Sequence, residues 1–140
     1  MRGMKKIDKQ QVLSKVVISA KHTNPPQSHE VEAAQILAQH FCCDVEFLVP
    51  VDDYMRKTAD ISMLGAEWEI KSPIGNSKST IGNQFRTASK QSRNIIIDAR
   101  RTPLDSAVVI KSIRLEMKKR KTIKRVILID KSKKVLAITP

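Results

Sequence analysis

The sequence predicts an α/β fold: a mixed β-sheet flanked by helices. Three observations lead there. Segments with helical period alternate with short strand-like segments. One of these, Asn94-Ile-Ile-Ile-Asp98, is a nearly continuous apolar run, as expected of an inner strand covered on both faces. Turn-forming Gly, Pro, Asn and Ser separate the segments, with no internal repeat. At 140 residues and 41% hydrophobic composition, the chain suits one domain with a single core.

In chain order, residues 1–28 form a weakly patterned N-terminal extension. Its Val16-Val17-Ile18 run suits a short strand or a helical turn. Asn24-Pro25-Pro26 breaks that run, and Ser28 offers a helix N-cap. From His29 to Phe41, Val31, Ala34, Leu37, Ala38 and Phe41 keep helical spacing. Asp44 to Val49 reads as a strand ended by Pro50, and Val51 to Lys57 as a linking turn. Ala59–Leu64 and Glu67–Ser72 read as a hairpin turning at Gly65. After the turn-rich Pro73–Ser79 loop, Thr80 caps a second helix reaching about Arg93, with Ile81, Phe85 and Ala88 facing inward. Thr102-Pro103 with Asp105 marks the start of a third helix. That helix reaches about Lys119, with Ala107, Ile110, Ile113 or Arg114, and Met117 along its stripe. Lys124–Ile129 and Lys133–Thr139 close the chain as two strands around Asp130-Lys131-Ser132.

Charge narrows the partners. The chain carries 26 Lys and Arg against 14 Asp and Glu, a net charge of +12. So basic a surface points to a polyanion, a nucleic acid or an anionic membrane. No apolar run has the length of a membrane span, and Asp8, Lys9, Gln10 and Gln11 stand where a signal peptide would be apolar. A nucleic acid partner and a cytoplasmic location are therefore expected, and no membrane. The two cysteines, Cys42 and Cys43, are adjacent and poorly placed to bridge one another, which suits a reducing compartment.

The chemistry concentrates between Asp60 and Lys71. Strand alternation puts Glu67, Glu69 and Lys71 on one face, and Trp68 and Ile70 on the other. Two carboxylates, Asp60 and Glu69, with the Ile70 carbonyl between Glu69 and Lys71, suit Mg²⁺ or Mn²⁺, which prefer oxygen ligands and retain water. Lys71, on the same face, can orient an attacking water or meet a phosphate. A further carboxylate from the first helix would complete such a site. Glu32 is favoured because Ala33 and Ala34 let the helix lie close to a sheet, with Glu30 as the competitor that periodicity does not separate from it.

These residues resemble a known family. Asp60-x8-Glu69-Ile-Lys71, with a glutamate on the preceding helix, is similar to the PD-(D/E)XK nuclease superfamily. Over residues 28–100 a closer series runs in order. It comprises Ser-His-Glu-x-Glu-x-Ala, Asp-Val-Glu-Phe-Leu-x-Pro, Ala-Asp-Ile, Trp-Glu-Ile-Lys-Ser-Pro-Ile-Gly and Thr-Ile-x-x-Gln-x-Arg. The series resembles the C-terminal tRNase domain of CdiA contact-dependent inhibition toxins and small stand-alone relatives. The resemblance implies a restriction-endonuclease-like core and a single nuclease-like domain over residues 1–140. It implies Glu32, Asp60, Glu69 and Lys71 as the catalytic set, the three carboxylates binding metal. Thr80, Gln84 and Arg86 would be auxiliary residues near the substrate. Ala59 stands where the superfamily usually has proline. An immunity protein or a second copy of the chain are the protein partners it admits.

The remaining candidates have plainer readings. His29 suits a helix start bonded to backbone, Glu67 a solvent-exposed position near the turn, and Trp68 the core. Gln84 could bond a phosphate or cap the sheet's edge. Lys71, Lys78, Arg86, Lys90 and Arg93 lie on or near the site. Lys118-Lys119-Arg120-Lys121, with Lys124 and Arg125, is a second basic group suited to tracking phosphates. Tyr54 is the best exposed aromatic for base stacking, and so poor a supply favours recognition by shape and backbone. The expected function is metal-dependent phosphodiester hydrolysis. RNA, tRNA in particular, is favoured through the resemblance, with DNA cleavage or non-catalytic nucleic-acid binding as rivals.

Overall fold

A computed structural model of the chain describes residues 14–51 and 58–140. Val12-Leu13, the greater part of the 51–57 turn and Tyr54 fall outside the described residues. Seven strands form one mixed sheet: β1 (Val16–Ile18), β2 (Val45–Phe47), β3 (Ile61–Met63), β4 (Ala66–Lys71), β5 (Asn94–Asp98), β6 (Arg125–Ile129) and β7 (Val135–Ile138). Three helices flank it: α1 (Ser28–Phe41), α2 (Thr80–Ala88) and α3 (Ser106–Lys119). The expected mixed sheet with flanking helices is thus what the chain forms. Val16–Ile18 resolves as a strand paired in parallel with β2, so this part of the N-terminal extension belongs to the sheet.

Spatial strand order is the order of the sequence. β1, β2, β4, β5 and β6 run the same way, while β3 and β7 run against them. Alternation along the strands divides the apolar residues between two layers. Trp68, Ile70, Ile96 and Ile127 pack with Ala33, Ala34 and Leu37 of α1. Ile95, Ile97, Val126 and Leu128 pack with Ile81 and Phe85 of α2 and with Val109 and Ile113 of α3. β5 feeds both layers, which explains its unbroken run of isoleucines. Helices on opposite faces, joining parallel strands that progress in one direction, require crossovers of opposite hand. The connection through α1 therefore differs in hand from those through α2 and α3, a departure from the usual uniformity.

Several element boundaries differ from the sequence expectation, each for a local reason. α1 is capped at Gln27 rather than Ser28, because the Gln27 N–H donates to the Glu30 carboxylate at 2.9 Å. α2 ends at Ala88 instead of about Arg93; its apolar stripe ends there and residues 89–91 form a turn. α3 is capped at Asp105, not at Thr102: the Thr102 hydroxyl accepts the Leu104 N–H at 3.2 Å in the turn ahead of the helix and donates to the Gly75 carbonyl at 2.6 Å. The buried stripe of α3 is Val109, Ile113, Glu116 and Met117, while Ala107 and Arg114 lie outside it. Both cysteines are free thiols, as expected of the adjacent pair. Burial, then the Asp44 charge, pushes the Cys43 thiol above its ordinary value.

The β3–β4 hairpin does turn at Gly65. Met63 pairs with Ala66, leaving a two-residue loop in which Leu64 (φ 55°) and Gly65 (φ 73°) both have positive φ. Both signs match a type I′ turn, which suits Asn-Gly far better than Leu-Gly. Leu64 is 50% exposed, so it gains little from packing in return. Leu64→Asn should therefore raise stability by about 0.5 kcal/mol, read as a higher urea midpoint at unchanged slope.

Candidate active site

The hairpin brings three of the expected residues together. Ile61 pairs with Trp68, so one step further along the ladder Asp60 stands across from Glu69. The Asp60 N–H donates to the Trp68 carbonyl at 3.0 Å, and its Oδ2 accepts the Ile70 N–H at 2.8 Å. The carboxylate is thereby fixed at the end of β4, and it is the Ile70 amide, rather than its carbonyl, that is bonded here. The Lys71 Nζ lies 3.3 Å from Glu69 Oε2. Glu69 and Lys71 pair with Ile95 and Ile97 and so share their face of the sheet, the face that α2 and α3 cover.

That cover encloses the Glu69 side chain. Glu69 is only 2% exposed. Burial, then the charge and hydrogen bond of Asp60, push its carboxyl up to about 8, against the opposing pull of Lys71. At neutral pH the Glu69 carboxyl thus keeps its proton. Glu69 Oε1 is buried without a hydrogen-bond partner among the described residues. A buried carboxyl oxygen with no partner, beside a second carboxylate, fits a hard divalent cation in the place of the Glu69 proton. Asp60 and Glu69 would be its protein ligands. Among the described residues, no group of three or more His, Cys, Asp and Glu side chains gathers closely enough to hold one ion. The three-carboxylate arrangement including Glu32 is therefore not assembled.

Glu32 stands on α1, across the sheet. Its carboxylate is largely exposed and pairs with the Arg100 Nη1 at 3.0 Å. The competitor, Glu30, is occupied in capping α1. Arg100 also grips the fully buried Asp98 with two bonds of 2.8 Å and donates to the His29 carbonyl at 2.8 Å. The His29 ring meets Arg101 Nη1 at 2.9 Å instead of bonding to backbone. Asp98, Arg100 and Glu32 thus join β5 to α1 on the layer opposite Glu69.

On the α2 side, Thr80 is buried and its hydroxyl accepts the Ser77 N–H at 3.1 Å, which closes the loop leading into the helix. Gln84 lies one turn on from Thr80 along the same stripe, half-buried. Arg86 points away from that stripe into a cleft shared with α3. Glu67 is exposed and Trp68 is core, its Nε1 donating to the Met63 carbonyl at 3.0 Å. Arg125 leaves the expected basic run: it stacks 5.0 Å from the Trp68 ring centroid and bonds Asn94. No helix among the described residues is long and apolar enough to cross a membrane.

With this geometry in place, the comparison with known proteins is informative. A family model for the contact-dependent growth inhibition CdiA C-terminal domain matches residues 57–135, more than half of the chain. The chain belongs to this family. The CdiA C-terminal match contains Asp60, Glu69, Lys71, Thr80, Gln84 and Arg86 but not Glu32. No curated protein matches the chain in sequence. The CdiA-CT/CdiI toxin and immunity complex from Burkholderia pseudomallei contains a chain of similar fold, with TM-score 0.56 and 15% identity. The similarity covers 90% of this chain and 99% of that one.

The Asp98–Arg100 pair is the part of this region that the residue pattern did not bring forward. Its signal was present, since a carboxylate ending a strand buried on both faces needs a cation, and Arg100 follows two residues later. Arg100→Ala should destabilise the fold by about 3–5 kcal/mol in chemical denaturation, and adding Asp98→Asn should recover part of that loss by removing the stranded charge. For Glu69, the native state holds a proton that the unfolded chain releases between the ordinary 4.5 and about 8. Stability of the metal-free protein should accordingly fall as pH rises through that window, by up to about 1.4 kcal/mol per unit from this group. Glu69→Gln should flatten the curve relative to the unsubstituted chain in EDTA.

Proposed function

We propose that the chain is a metal-dependent nuclease of the PD-(D/E)XK type, a toxin domain that hydrolyses phosphodiester bonds, with RNA and tRNA in particular as the favoured substrate. One observation carries the reading: buried Glu69, with an unpartnered oxygen, faces Asp60 and lies 3.3 Å from Lys71. A binding module gains nothing from burying paired acids beside a polyanion. Mg²⁺ or Mn²⁺, held by Asp60 and Glu69, would polarise the phosphate and lower the pKa of water. Asp60 is held in position by the Ile70 N–H. Glu69 would hold the cation as a carboxylate, and Lys71, 3.3 Å from it, would offer its ammonium to the attacking water or to the charge developing on the phosphate. Gln84, on the α2 stripe above β4, has an amide that can bond a phosphate oxygen. Glu32, bound to Arg100, supports α1 against the end of β5.

Support for RNA comes from the motif series and from membership of the CdiA C-terminal family. Base stacking has no platform among the described residues: Trp68, Phe47 and Phe85 are buried and Phe41 is half-buried. Recognition by backbone and shape therefore suits a folded RNA, and duplex DNA is the nearest alternative. The related toxin and immunity complex supports an immunity protein as the partner of this chain too.

The purified chain should cut tRNA in Mg²⁺ and not in EDTA. Asp60→Asn and Lys71→Ala should each lower the rate by about 100-fold or more. Cleavage that survives both substitutions would sink the assigned site. Cleavage of plasmid but not tRNA would transfer the activity to DNA, and binding without any cleavage would leave a docking protein.

A further inference from the structure

The two basic groups that are distant in sequence meet in space. Between α2 and α3 lies a cleft of about 350 Å³ whose walls carry Lys78 and Arg86 on one side and Lys119 and Arg120 on the other. Four cations face one carboxylate, the buried Glu116, which binds the Lys119 Nζ at 3.5 Å and the Arg120 Nε at 2.9 Å. Glu116 uses only the Nε of Arg120, so the terminal nitrogens of that guanidinium have no bond among the described residues. Lys78 and Arg86 have no acidic partner there either. Gly82, with no side chain, leaves the α2 backbone at the cleft open beside Glu116.

We infer that this cleft is the track for the phosphodiester backbone of the nucleic-acid substrate, leading it to Lys71. Three placements support the assignment. The cleft is on the same face of the sheet as Glu69 and Lys71, because α2 and α3 both pack on Ile95 and Ile97, the register partners of those two residues. The loop from Lys71 to α2 carries Lys78 into the cleft wall, which connects the two by a few residues of chain. That loop is fixed from both ends, by Thr80 on the Ser77 N–H and by Thr102 on the Gly75 carbonyl. The backbone that carries Lys78 is thereby held in place. Glu116 gives the same service to Lys119 and Arg120: a buried carboxylate holds two long side chains in one place at the cost of one negative charge. A surface of this kind meets phosphates in sequence-independent fashion and orients the strand for cleavage beyond the cleft. It also explains the placement of Arg86, which faces this cleft and not the carboxylate pair.

The inference rests on the nuclease reading for its direction, but binding can be measured without cleavage. In EDTA, fluorescently labelled tRNA and a labelled DNA duplex are titrated by anisotropy over a range of salt concentrations. The triple variant Lys78→Ala/Arg86→Ala/Lys119→Ala is compared with a charge-matched control, Lys15→Ala/Lys21→Ala/Lys134→Ala, and with the charge-keeping Lys78→Arg/Arg86→Lys/Lys119→Arg. The cleft variant should bind at least about tenfold more weakly than the control, with a salt slope shallower by roughly two to three. The charge-keeping variant should bind like the unsubstituted chain. A loss on tRNA alone assigns the track to RNA, and an equal loss on both assigns it to any phosphodiester backbone. Equal binding of the cleft variant and the control overturns the inference and leaves the cleft to an acidic protein surface. Loss of binding by a chain that never cleaves would keep the track and remove the nuclease reading; cleavage with an indifferent cleft would do the reverse.

Discussion

Everything described at the candidate site depends on the register of one hairpin. The two-residue turn at Leu64-Gly65 sets Asp60 across from Glu69 and sends Trp68 and Ile70 to the α1 layer. A slip of one residue would exchange the two sets. Trp68 would then face α2, and Glu69 would enter the layer of Ile61, Met63 and Leu37, far from Lys71's partner strand residues. The apolar set is what enforces the register, since burying Trp68 and Ile70 is worth several kcal/mol, whereas a buried acid pair opposes folding. The site is therefore held in place by residues that take no part in its chemistry.

The carboxyl ends of β4 and β5 are braced from both layers. On the α1 side, Arg100 ties Asp98 to Glu32 and to the first turn of α1. On the α2 side, Thr102 binds the loop that follows β4. Open α/β sheets commonly bind ligands at this end of their strands, and here the acids and Lys71 stand there with both flanking loops pinned. Rigid support of this type keeps functional groups within the narrow tolerances that chemistry demands. The opposite hand of the α1 crossover makes the double bracing feasible, because it puts one helix on each side of the same strand ends.

Local chemistry was legible in the sequence, and long-range chemistry was not. The hairpin turning at Gly65, the inner strand Asn94–Asp98 and the inward stripe of α2 follow from period and turn residues, and each is where the pattern put it. Membership of the CdiA C-terminal family, expected from the motif series, is likewise confirmed. The stripe of α3 was legible at Ile110, Ile113 and Met117, but apolar residues lie all round the helix, and buried Val109 was passed over for exposed Ala107. Thr102 has every attribute of a helix cap, but its hydroxyl accepts the Leu104 N–H in the turn before α3 and donates to a carbonyl 27 residues away. The burial of Glu69 was not legible, because alternation tells which residues share a face and not whether a helix covers it. The union of Lys78 and Arg86 with Lys119 and Arg120 depends on how α2 and α3 lie together, which no local pattern encodes.

The strand order has a mechanical meaning. Each strand pairs with the one made immediately before it, so the sheet can grow by accretion at a single edge while the chain is synthesised. No earlier strand must wait for a distant one, which keeps the loop-closure entropy of each pairing low for a seven-stranded sheet. The same arrangement works in reverse. A pull on either end engages an edge strand, and the hydrogen bonds yield one ladder at a time, as in a zipper, without having to break several at once.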